Sequence, residues 1–99
     1  MLADVADITE EKGNVLIDFY TSSCVPCRAL NPILDEIAQE FNDLKIAKID
    51  VTQNPEVTQM FGVMSLPTVI FMKDRKVKHV LRGLSTKETI SSMIRNHIS

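Results

Sequence analysis

The chain has no tryptophan, one tyrosine and four phenylalanines in 99 residues, so its core must be built mainly from aliphatic side chains. With only three glycines and four prolines, collagen-like and low-complexity organisation are excluded. No apolar run approaches the ~20 residues that a membrane-spanning helix needs. Neither sign of charge dominates: eleven Lys and Arg stand against thirteen Asp and Glu, a net charge of -2. That balance lacks the basic stripe of a nucleic-acid or acidic-membrane binder. The densest basic group, Lys73, Arg75, Lys76 and Lys78, reads as the solvated edge of a hairpin, where charge discourages strand addition. Cysteine is scarce too, and two cysteines cannot make a scaffold of several bridges.

What is present is an ordinary soluble composition, 44 % hydrophobic and 24 % charged, long enough to bury one self-sufficient core. The expectation is a single domain over residues 1–99. The opening stretch "MLADVADITEEKGN" lacks the basic start and apolar segment of a secretory signal, which points to a reducing cytoplasm. In that setting closely spaced cysteines are more often catalytic or metal-binding than structural.

Periodicity sets the order of elements. An amphipathic opening (Leu2, Val5, Ala6) ends at Gly13 and Asn14, and Val15 to Tyr20 follow as a strand apolar on both faces, as in the centre of a sheet. Leu30, Ile33, Leu34, Ile37, Ala38 and Phe41 recur at helical spacing, with Pro32 inside as a kink. Leu44 to Val51 is a second strand, parallel to the first through a right-handed crossover. Asn54 caps a short helix with Pro55 at its first position and Gly62 beyond its end. Strands Thr68 to Met72 and Lys76 to Leu81 flank a turn at Asp74 and Arg75, a poor pair for a tight turn. Ser85 with Glu88 forms a capping box for a last helix through Ile90, Met93, Ile94 and His97. The predicted order is αβαβαββα.

Both cysteines lie in "SSCVPCR", Cys24 in a loop after the first strand and Cys27 at the start of the long helix. An uncapped helix start offers unpaired N–H groups and about half a positive charge, which favours a thiolate. Only the thiolate attacks a disulfide, so Cys24 reads as a nucleophile. Pro26 fits the first helical turn, where its missing N–H costs nothing. The spacing lets Cys27 reach back and displace a substrate held on Cys24. Zinc is the rival for two such thiols, but four ligands would require His79, His97 or a second molecule, and neither His has paired spacing. Both histidines read as exposed, and no metal is expected.

"VLIDFY", "CVPCRALNPILDEIAQEF", "IAKIDVTQNPEV", "FGVMSLPTVIFMK" and "RGLS" together resemble the thioredoxin family from about Val15 to the C-terminus. The resemblance implies an α/β thioredoxin fold: a central mixed four-stranded sheet, ordered second, first, third, fourth, flanked by four helices. It implies reduction of protein disulfides by dithiol–disulfide exchange, with no bound cofactor. The implied partners are disulfide-containing proteins and a thioredoxin reductase, and the expected working form is a monomer. By resemblance Cys24 attacks, Cys27 resolves and the buried Asp18 handles the proton of the resolving thiol, as its burial in an apolar strand also suggests. Lys48 is implied to lie near that acid. The substrate groove is implied to use Val25 and Pro26, the wall of Val63 and Met64, the cis-proline loop of Leu66, Pro67 and Thr68, and Gly83.

The match breaks at three places. Ser23 stands where the family has a tryptophan, Val25 stands where glycine is commonest, and only fourteen residues precede the first strand. The last point predicts that the family's N-terminal edge strand is absent. Two other functions use the same residues differently: an oxidase or isomerase of higher potential, and an interaction module that keeps the fold without turnover. The second needs neither the cysteines nor Asp18.

Overall fold

The computed structural model describes residues 12–98. The helix expected around Leu2, Val5 and Ala6, and any strand before residue 12, lie outside the described residues. Within them the order is β1 (Asn14–Tyr20), α1 (Val25–Glu40), β2 (Leu44–Asp50), α2 (Pro55–Met60), β3 (Thr68–Lys73), β4 (Lys76–Arg82) and α3 (Lys87–Ile98). The sheet runs β2-β1-β3-β4, with β1 and β2 parallel and the other two pairings antiparallel. This is the predicted strand order, and its two inner strands, β1 and β3, are the ones buried on both faces.

Alternation along the strands divides the core into two layers. Beneath α1 and α3 lie Leu16, Leu34, Ile37, Val69, Phe71, Ile90 and Ile94. On the other face Val15, Ile17, Phe19, Ile49 and Ile70 pack with Val57 of α2. Each fully buried aliphatic or aromatic side chain contributes on the order of 1.5–3 kcal/mol. Helices α1 and α3 are further joined by Glu40, which meets Lys87 at 3.3 Å and Arg95 at 2.8 Å.

Helix α2 ends as its sequence predicts. Gly62 adopts φ +67, its N–H bonds Gln59 C=O, and Val63 N–H bonds Thr58 C=O, the paired bonds of a Schellman stop. The start of α2 differs from expectation. Asn54 occupies the cap position, but its side chain donates to Asp50 C=O at 3.0 Å instead of capping the helix.

The hairpin turn is closed by residues with no glycine to ease it. Asp74 and Arg75 take φ of 50 and 72, both left-handed, as a two-residue turn of the I′ type requires. Asp74 is held there by Gly13: Gly13 N–H donates to Asp74 Oδ1 and Asp74 N–H donates to Gly13 C=O, both at 2.9 Å. On β4 the register slips between Phe71 and Met72, leaving Lys78 as an extra residue in a bulge. A bulged edge strand carrying exposed lysines is a poor template for further pairing.

The cap of α3 is one residue later than predicted. Thr86, not Ser85, is the capping residue: its Oγ1 accepts from Thr89 N–H at 3.1 Å and its C=O accepts from Ile90 N–H. Threonine caps as serine does, and the shift puts Glu88 at the second helical position, out of capping-box register. His97 also departs from expectation: it is half-buried, with ring centroids 6.0 Å from Phe71 and 5.4 Å from His79. His79 is exposed.

Candidate active site

The chain leaves the central strand at Tyr20 and turns through Thr21, whose C=O accepts from Cys24 N–H at 3.2 Å. Cys24 then takes an extended conformation and becomes the N-cap of α1. The helix start is therefore not uncapped: Cys24 Sγ itself accepts from Cys27 N–H at 3.2 Å, and Cys24 C=O accepts from Arg28 N–H. The aliphatic stripe of Leu30, Leu34 and Ile37 fixes the rotation of α1, and Cys27 belongs to the same buried face. Cys24 is half-buried at the rim, whereas Cys27 is 2 % exposed. The two are joined by a disulfide, with Cα atoms 5.2 Å apart.

Asp18 lies on the β1 face that supports α1, and it is completely buried. Neither carboxyl oxygen has a hydrogen-bond partner among the described residues. Burial pushes its carboxyl up from 3.8 to about 6, and the positive charge of Lys48 pulls in the opposite direction. Lys48 is the register partner of Asp18 across the parallel β1–β2 pair. Its ammonium does not bond the acid; it donates to Asn31 Oδ1 on α1 at 3.0 Å. The sequence reading did not single out Asn31. The signal was available: Asn31 is four residues beyond Cys27, a polar residue next to the apolar stripe of the helix.

The Leu66–Pro67 peptide is cis, and Pro67 is buried. Pro67 C=O accepts from Gly83 N–H at 2.8 Å, and Gly83 has φ +86. Glycine is favoured there by backbone conformation, since a Cβ would meet nothing within 4 Å. Thr68 Oγ1 donates to Ser65 C=O and is buried, so the hydroxyl locks the loop. Three groove candidates are exposed: Val25 at 64 %, Met64 at 95 % and Pro26; Leu66 is half-buried. Ser23 is exposed and Val63 half-buried. The β1 and β3 ends meet at Phe19 and Thr68, and Thr68 pairs with Arg82, so the cysteine loop, the proline loop and Gly83 all leave the same end of the sheet.

Among the described residues no group of three or more His, Cys, Asp or Glu side chains is placed to hold a metal ion. No described helix is long and apolar enough to cross a membrane.

Comparison with known proteins agrees with this geometry. The thioredoxin family model matches residues 4–96. A thioredoxin of Listeria monocytogenes is 40 % identical, covering 99 % of this chain and all of its own length. A thioredoxin of Bacillus subtilis is 41 % identical, covering 88 % of this chain and 85 % of its own. Among solved structures, a point-mutant thioredoxin from Halobacterium salinarum NRC-1 superimposes with a TM-score of 0.88 at 30 % identity, covering 94 % of this chain and 81 % of that one. An oxidised mitochondrial thioredoxin 3 from Saccharomyces cerevisiae shares the fold, with a TM-score of 0.85 at 24 % identity over 91 % and 84 % of the two chains. A helix-capping disulfide on a four-stranded mixed sheet, matched over nearly the whole chain, leads to one conclusion: this protein belongs to the thioredoxin family and is a thiol–disulfide oxidoreductase that reduces protein disulfides.

Proposed function

We propose that Cys24 is the attacking nucleophile, Cys27 the resolving thiol and Asp18 the base that serves Cys27. The observation that carries this reading is the asymmetry of the pair, one sulfur at the rim in the cap of α1 and the other buried. In the reduced protein the Cys24 thiolate attacks one sulfur of a substrate disulfide. A mixed disulfide forms, and the first substrate sulfur leaves as a thiolate that takes a proton from water. Cys27 then yields its proton to Asp18 and attacks Cys24 Sγ. The Cys24–Cys27 disulfide closes, the second substrate sulfur is expelled, and two electrons have passed to the substrate. A carboxyl held near 6 is ionised at neutral pH yet more basic than an ordinary aspartate, which suits it to this transfer.

The substrate segment docks beside the sulfurs against Val25, Pro26, Met64, Leu66, Pro67, Thr68 and Gly83. Backbone groups before Pro67 offer extended pairing and the exposed apolar side chains offer contact area. With Ser23 in place of an aromatic, Val25 and Met64 supply most of that apolar contact. A thioredoxin reductase returns two electrons and two protons to the disulfide. The protein works as a monomer in the cytoplasm and needs no bound cofactor, since its electrons arrive as a dithiol.

The test is turnover of a protein disulfide with a dithiol donor. Cys24→Ser should abolish it, and Cys27→Ser should accumulate a mixed disulfide through Cys24. An unchanged rate in Cys24→Ser would defeat the assignment. Equilibration with glutathione buffers separates reductase from oxidase: a potential well above the cytosolic poise would favour the oxidant.

A further inference from the structure

The ammonium of Lys48 is bonded to an amide and not to the carboxylate that is its strand neighbour. Asp18 is its register partner on the neighbouring strand. The side chain nevertheless donates to Asn31 Oδ1 at 3.0 Å, and both oxygens of Asp18 are without a partner among the described residues. Asn31 stands one helical turn beyond Cys27 on α1, and its bond to Lys48 crosses to the sheet face that carries Asp18, so a seam between helix and sheet holds amide, ammonium and carboxyl on the side of α1 that buries Cys27. A neutral amide bonds an ammonium without neutralising it, and it leaves the carboxyl free.

We propose that Asn31 is a positioning residue that detains the Lys48 ammonium on the helix side of this seam and so keeps it from closing onto Asp18. A direct Lys48–Asp18 ion pair would stabilise the carboxylate and make it a weaker base. Held on Asn31, Lys48 acts on Asp18 only through space, and the carboxyl remains basic enough to take the Cys27 proton. The inference rests on the proton-handling role given to Asp18 above. Among the described residues Lys48 is the charged group that acts on Asp18, and β3 presents Val69 opposite it. Asp35, one turn beyond Asn31, lines a cavity with Lys48 and is a competing acceptor for the ammonium.

The experiment follows the Asp18 carboxyl by carbon NMR across pH in the full-length reduced protein. In Asn31→Ala the titration midpoint should fall by roughly one pH unit, the effect of an opposite charge brought into contact. In Asn31→Asp, which keeps the acceptor and adds a negative charge, it should stay level or rise. In a Lys48→Met background, Asn31→Ala should leave the midpoint where Lys48→Met alone puts it. Resolution of a mixed disulfide at neutral pH should slow severalfold in Asn31→Ala and recover in Asn31→Asp. A midpoint that is unchanged or raised in Asn31→Ala, as when the ammonium moves to Asp35, overturns the proposal. So does an equal fall with Lys48 present and absent, because that reports general loosening of the seam. Failure of the underlying reading looks different: Asp18→Asn would then resolve mixed disulfides at the wild-type rate, while the carboxyl titrations still answered the question about Asn31.

Discussion

The backbone N–H of Cys27 points at Sγ of Cys24 across 3.2 Å, so the sulfur proposed as the nucleophile already occupies the cap of a sixteen-residue helix. One donor and the positive end of the helix dipole then stabilise a thiolate. Alkylation of the reduced protein by iodoacetamide should modify Cys24 first and reach half its maximal rate below the ~8.5 of an ordinary thiol. Cys27, on the buried face of the helix, should react more slowly. A Cys24 that titrates like free cysteine would contradict the mechanism.

Asp18 should act on one chemical step and on stability at the same time. Asp18→Asn should slow resolution of the mixed disulfide more than its formation; equal effects on both steps count against a proton-handling role. For stability the sign follows from a folded value near 6 against 3.8. The folded state binds the proton more tightly, so the contribution of Asp18 to stability is greatest at low pH and is lost as pH rises through that window. Keeping the buried carboxyl ionised at pH 7 costs about 3 kcal/mol. The asparagine variant should therefore be more stable than the wild type by roughly 1–3 kcal/mol at pH 7, with the difference vanishing below about pH 4. Urea unfolding at several pH values reads this directly.

The cap of α3 can be assigned by substitution. Thr86→Ala should cost about 1 kcal/mol, because it orphans the Thr89 N–H. Ser85→Ala should stay within about 0.5 kcal/mol. The reverse order would restore the serine as the capping residue.

The β3–β4 turn carries avoidable strain. Arg75 sits at φ 72, where an L side chain crowds its own backbone and glycine does not. Arg75→Gly creates an Asp-Gly turn and keeps the Asp74 bonds to Gly13, so stability should rise by about 0.5–1 kcal/mol in denaturant titration. A loss of stability would show that the arginine side chain contributes more than its backbone costs.

Most of the architecture was legible because pattern and turn chemistry agree. An apolar stretch on both faces made β1 central, helical spacing from Leu30 to Phe41 made α1, and Pro55 with Gly62 bracketed α2. The short-range spacing of Cys24 and Cys27 was enough to place one sulfur in the loop and one on the helix. What escaped depends on geometry finer than pattern. Ser85 and Thr86 are both competent caps, and the backbone bond from Ile90 N–H to Thr86 C=O, which no side-chain pattern encodes, decides between them. The Asn31–Lys48 bond joins a helix to a strand seventeen positions apart; spacing along α1 sets Asn31 beside Cys27 but says nothing of Lys48. The contact of His79 with His97 likewise arises only when α3 lies back across the sheet, so their separation in sequence suggested no relationship.

Glu40 closes α1 at the end remote from the sulfurs and grips α3 through Lys87 and Arg95. Sixteen residues of helix span about 24 Å, which sets this anchorage far from the chemistry. Loosening that grip by Glu40→Ala would therefore be felt in how α1 and α3 pack at their far ends, while the loop that presents the sulfurs keeps its own backbone bonds from Thr21 to Cys24 and from Cys24 to Arg28.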